Sequence, residues 1–186
     1  DTEFLNNSFY DDDGNQIESS NPDIIEKFQS ITGINERKYV SGKIKSSDLA
    51  AVAAKKAIED SKIDQESLDY IIVAHNFGDI SCDSTQIDTL PSLASKVKTI
   101  LKIRNPKCVA YDIICGCPGW VEGVIQAKSF IKSGMANKCL IIGSDTLSRV
   151  YDSNDRDSMI YADGSGAIIL ESDKSDNCGI LSHNSA

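Results

Sequence analysis

An α/β fold, with a mainly parallel sheet covered by helices on both faces, is predicted by three features of the chain. Short continuous apolar runs read as buried strands, longer stretches carry apolar residues at helical spacing, and the two kinds alternate. Residues 6–23 are rich in Asn, Asp, Ser and Gly and read as an exposed loop or insertion. An acidic region, 1–23, is therefore set apart from one lobe, 24–186.

Taken in order, Ser46 or Ser47 caps a helix in which Leu49, Val52, Ala53 and Ala57 recur, ending near Lys62. Tyr70 to Ala74 forms a buried strand. Pro91 opens a helix with Leu93, Val97 and Ile100 on one face. Cys108 to Ile113 is the next strand. A third helix starts at Pro118, aligns Trp120, Val124, Ala127 and Ile131, and stops at Gly134. Cys139 to Ile142, Ala167 to Leu170, and Gly179 to Ser182 are the remaining strands.

With 186 residues and 40% hydrophobic content, the chain forms one sizeable core or half of a two-lobed molecule. The formal charge of −9 argues against a nucleic-acid surface, which needs clustered Lys and Arg. Residues 1–30 alone hold eight acids against Lys27. There is no apolar run of about 18 residues and no visible signal peptide, so a soluble cytoplasmic protein is expected, without membrane contact. The chain opens with Asp1 instead of Met, so a missing beginning is expected. Three of the six cysteines sit in or beside strand-like runs, and the set reads as mostly thiols.

The chemistry-bearing segment is Cys115-Gly116-Cys117-Pro118-Gly119-Trp120, where a strand ends and a helix begins. Pro118 suits a first helical position, which places Cys117 at the N-cap. Unpaired backbone N–H groups and the positive end of the helix dipole there favour thiolate over thiol. Such a sulfur is a nucleophile for acyl transfer, and its own amide can help to bind an oxyanion. The bland alternative is a small apolar residue in a tight turn. A Cys-x-Cys metal site is the weaker option, because His75 and His183 lack ligand spacing, and no metal is expected. Cys115 reads as packing.

The segment Ala110 to Trp120 resembles the active-cysteine motif of the ketoacyl-acyl-carrier-protein synthase III family, within the thiolase superfamily. Ile31-Thr32-Gly33-Ile34-Asn35-Glu36-Arg37, Gly143-Ser144-Asp145 and Ala162-Asp163-Gly164-Ser165-Gly166-Ala167 resemble three further motifs of that family, in the same order. The resemblance implies a thiolase-like fold, this chain being one αβα half, with a mainly parallel mixed sheet, of an αβαβα parent. It implies a homodimeric acyltransferase of fatty-acid biosynthesis, with Cys117 as catalytic nucleophile. Cys117 would take an acyl group from acyl-CoA and pass it to malonyl-acyl carrier protein with loss of carbon dioxide, giving a β-ketoacyl thioester. Coenzyme A and the phosphopantetheine of the carrier protein would enter as substrates, with no resident cofactor.

The resemblance also assigns substrate-binding positions. Thr32 matches a residue lining the cofactor channel, while the arginine and tryptophan that hold adenine correspond to Ile31 and Lys27. Arg156 matches a nucleotide-contacting arginine, Tyr161 falls near the aromatic beside the cysteine, and Leu90 stands where a Phe closes the acyl pocket. The catalytic His and Asn of the family are not matched here. The family's first strand is not matched either, so two unpaired sheet edges and no condensation by the isolated chain are expected. A non-catalytic, partner-binding thiolase-fold subunit and a hydroxymethylglutaryl-type or polyketide-type condensing enzyme remain the alternatives.

Overall fold

The computed structural model describes residues 2–11, 13–84, 86–173 and 179–184. Its main sheet has the strand order β4-β1-β5-β6, formed by β1 (Tyr70–His75), β4 (Val109–Ile114), β5 (Lys138–Thr146) and β6 (Asp163–Glu171). Strands β4, β1 and β5 run parallel, and β6 returns antiparallel to β5. Side chains alternate across the pleat, so one strand feeds two cores. Ile71 and Val73 face α2 (Ser46–Ser61) and α3 (Leu93–Ile100), where Ala50, Ala54, Leu93 and Val97 are buried. Ile72 and Ile141 face α4 (Gly119–Lys132) through Ala127 and Trp120. Helices thus cover both faces, as the apolar pattern predicts.

Among the described residues the main sheet is continuous, without the gap between two unpaired edges expected where the family's first strand is unmatched. Instead β5 and β6 pair directly, from Lys138 opposite Glu171 to Thr146 opposite Asp163, and satisfy the backbone groups on their facing edges, β4 and β6 being the outer strands. The strand expected at 179–182 is also not formed; residues 179–184 are irregular, with Leu181 exposed. A short apolar run reads as a strand whether or not a sheet edge is available to it. Cys178 lies outside the described residues.

One helix and one small strand pair escaped the sequence reading. Helix α1 (Asn21–Thr32) is capped by Ser20, whose side chain accepts the Asp23 N–H, and ends at Gly33 in the left-handed region with φ 69°. The boundary expected at 23/24 therefore falls inside a helix. Within the loop after β1, β2 (Asp79–Ile80) and β3 (Ile87–Asp88) form a small antiparallel pair. Residues 6–23 are not wholly exposed, because Phe9 joins Phe4, Ile24 and Met159 in a third apolar cluster. Arg37 stacks over Phe28 at 4.9 Å and over Phe4 at 5.6 Å, and donates from Nε to the Met159 carbonyl. Thus the arginine of the Thr-Gly-Ile segment joins the amino-terminal segment, α1 and residues 156–160.

Candidate active site

Cys117 lies beyond the carboxyl end of β4, where the chain turns into α4. The regular helix begins one residue later than expected: Pro118, at φ −71° and ψ −8°, takes the cap position and its carbonyl accepts the Glu122 N–H. Cys117 sits in the preceding turn. Gly116 turns the chain at φ 67°, a conformation that disfavours a side chain. Two glycines then bring α4 down onto the sheet. A methyl group on Gly119 would stand 3.4 Å from Ala74 Cβ, and one on Gly123 would stand 3.1 Å from Ile141 Cγ2. On β5, Gly143 makes room for Trp120, whose Cδ1 lies 3.3 Å from the position of a Cβ there. Side-chain-free positions on helix and strand therefore set the height of the cysteine turn above the sheet.

The thiol of Cys117 is exposed and lines a cavity of about 380 Å³ over the ends of β1 and β5. Ligands of open parallel sheets bind at this end of the strands. The floor carries polar side chains that are tied together. Asp112 accepts the Leu93 and Ala94 N–H groups at 2.7 and 2.8 Å, which caps α3, and pairs with His75 Nε2 at 3.0 Å. His75 Nδ1 accepts the Gly78 N–H at 3.0 Å, so that nitrogen carries no proton and Nε2 is the donor to Asp112. Both ring nitrogens are engaged, and the imidazole is a strut instead of a free base.

The Gly143-Ser144-Asp145 segment divides three tasks. Gly143 accommodates Trp120, Ser144 Oγ donates to the Ser46 carbonyl at 2.8 Å, and Asp145 accepts both the backbone N–H and the Nδ2 of Asn76 at 2.9 and 2.7 Å. Burial, opposed by those hydrogen bonds, raises the Asp145 pKa. At the far wall Asp163 accepts the Ser148 N–H and hydroxyl and the Val40 N–H, joining β6 to two loops.

Thr32, Arg156 and Tyr161 come together in a second cavity, of about 700 Å³, with Lys27, Phe28 and Ile31. It adjoins the cysteine cavity along the chain, since Tyr161 lines one and Ala162 the other. Tyr161 thus shares a cavity with Thr32. The Thr32 hydroxyl donates to the Phe28 carbonyl at 2.8 Å, and Arg156 Nε pairs with Asp157 at 3.3 Å. Leu90 lines neither cavity and is 85% exposed. Cys115, expected to pack, is exposed, because β4 ends at Ile114 and the alternation of the strand stops there. Asn76 was missed by the sequence reading; its place just after a buried strand was the available signal.

The sequence profile of the 3-oxoacyl-[acyl-carrier-protein (ACP)] synthase III family matches residues 111–186. The beta-ketoacyl-[acyl-carrier-protein] synthase III of Neisseria gonorrhoeae strain NCCP11945 is 39% identical over 151 residues, which are 81% of this chain and 44% of the relative. That of Ehrlichia canis strain Jake is 37% identical over 169 residues, 90% of this chain and 49% of the relative. The 3-oxoacyl-[acyl-carrier-protein] synthase III of Aquifex aeolicus VF5 superposes with a TM-score of 0.71 at 30% identity, covering 85% of this chain and 47% of that structure. The chain spans about half the length of the relatives it matches. No helix among the described residues is long and apolar enough to cross a membrane.

Proposed function

We infer that this synthase III-like, thiolase-fold chain carries the nucleophile of a condensing acyltransferase, and we propose Cys117 as the residue that is acylated. One observation carries the reading: an exposed thiol at a strand-to-helix turn, lining a cavity at the carboxyl ends of parallel strands. The sulfur attacks the carbonyl carbon of an acyl thioester, the carbon–sulfur bond to the leaving thiol breaks, and that thiol departs with the proton. A malonyl thioester on acyl carrier protein then loses carbon dioxide. Its carbanion attacks the acyl carbon, and Cys117 is released as the product β-ketoacyl thioester forms.

The cavity of Thr32, Arg156 and Tyr161 is proposed to take the donor thioester's carrier arm, because Lys27 and Arg156 line it and its Tyr161 is followed in sequence by Ala162 of the cysteine cavity. Leu90 is proposed to act from its exposed position across a subunit contact, which fits a homodimer. No resident cofactor is required by this chemistry, and the setting proposed is cytoplasmic.

Incubating the intact protein with a panel of acyl-CoA donors tests the reading. The expected result is an acyl mass on Cys117 that Cys117→Ala abolishes. Acyl adducts spread over the other exposed cysteines, or activity surviving Cys117→Ala, would overturn it.

A further inference from the structure

We propose that Asn76 selects the acyl group delivered to Cys117, its side-chain carbonyl accepting a hydrogen bond from a hydroxyl or N–H group on the first few carbons of the acyl chain. The inference rests on the acyl-transfer reading of Cys117 above.

Asn76 follows β1 directly and lines the cysteine cavity. Asp145 takes both its backbone N–H and its Nδ2. An ionised carboxylate only accepts hydrogen bonds, so it faces Nδ2 and not Oδ1; turning the amide over would set two acceptors against each other. The carboxylate thus decides an orientation that an isolated Asn leaves open. Oδ1 consequently faces the nucleophile turn, 3.9 Å from where a Cβ of Gly116 would stand.

The other polar groups of the floor are already engaged. His75 bonds through both nitrogens, Ser144 exchanges hydrogen bonds with Ser46, Asp145 is held by Asn76, and Ser165 Oγ donates to the Gly143 carbonyl. Asn76 Oδ1 accepts a bond from none of the described residues. An acceptor so placed rewards a donor on the ligand, and a purely aliphatic chain strips it of water with nothing in return. The preferred class is therefore an acyl thioester with a polar donor near its carbonyl.

The experiment is a competition, in the intact protein, between the N-acetylcysteamine thioesters of 3-hydroxybutyrate and butyrate, read as the masses on Cys117. The hydroxyacyl adduct is expected in excess by about tenfold, the size of one hydrogen bond. Asn76→Leu should bring that ratio close to one. Asp145→Asn, which can donate to Oδ1 and let the amide turn, should lower it as well, and it decides the matter if Asn76→Leu fails to fold. Equal labelling by the wild type, or a ratio unchanged in a folded variant, overturns the role of Asn76 while leaving Cys117 as nucleophile. Absence of any adduct on Cys117 overturns both.

Discussion

His75 donates from Nε2 to Asp112 at 3.0 Å, and the same carboxylate receives the first two amides of α3. Because His75 Nδ1 also takes the Gly78 N–H, one buried imidazole joins β1, β4, α3 and the turn that carries Asn76. His75→Leu deletes both bonds and leaves a buried N–H at Gly78 and a less satisfied Asp112. A loss of about 2–4 kcal/mol is expected from urea denaturation. In a His75→Leu protein that still folds, acylation of Cys117 should weaken without being abolished, since the ring is a positioning group; complete loss would instead give it a direct chemical role.

Gly123 lies against Ile141, Ile72 and Ile113, with space for less than a full methyl group. Gly123→Val forces α4 off the sheet and is expected to cost about 1–3 kcal/mol through overpacking. The lift should also lower the rate of Cys117 alkylation, because helix and cysteine turn move together. Differential scanning calorimetry and iodoacetamide kinetics check the two effects.

Asp79 is buried and accepts from the Ser47 N–H, the Ser47 hydroxyl and Lys96 Nζ, while Lys96 also reaches Asp88 at 2.9 Å. Lys96→Met leaves a buried carboxylate without its cation, at an expected cost of about 3 kcal/mol. Burial works against the Lys96 charge, yet Asp88 and Asp79 outweigh it and raise the pKa above 10.5. The folded state therefore holds this proton more tightly than the unfolded chain. The stabilisation is full below pH 10.5 and declines as pH rises through the elevated value. Wild type and Lys96→Met should accordingly converge in melting temperature at alkaline pH.

Burial pushes the Cys139 thiol up to about 12 and raises that of Cys108, whereas Cys82, Cys115 and Cys117 are exposed. Of these five, iodoacetamide at pH 8 should modify the exposed three and spare the buried two, as counted by peptide mass mapping. A raised thiol pKa favours the fold while the group is neutral, and that advantage declines from pH 9 towards 12. Alkaline unfolding with labelling of Cys139 is the expected companion result.

Arg156 is half exposed and paired with Asp157, so its contribution to ligand binding should be small. Arg156→Ala is expected to raise KM for an acyl-CoA no more than severalfold, with no change for the corresponding N-acetylcysteamine ester. Steady-state acylation kinetics with the two donors compare them directly. A hundredfold rise with the coenzyme A ester would show that the guanidinium leaves Asp157 to hold the nucleotide.

The fold was legible where one element's residues carry its whole signal. The apolar run Tyr70 to Ala74, the helical spacing of Leu93 and Val97, and the turn at Gly116-Cys117-Pro118 read directly, because burial and backbone preference are local. Helix α1 was legible too, through Ser20, Pro22 and Gly33, but its position within an acidic, polar stretch hid it. The residues at 179–182 misled, since an apolar run cannot say whether a sheet edge awaits it.

By itself the sequence determined the parallel α/β layering and the cysteine at a strand-to-helix turn. Only the tertiary structure decided that Asn76 meets Asp145, that His75 is consumed by Asp112 and Gly78, that β5 pairs with β6, and that Tyr161 lies with Thr32. The physical reason is range: propensity and periodicity act over a few residues, whereas these partners lie up to 129 positions apart and meet only through packing.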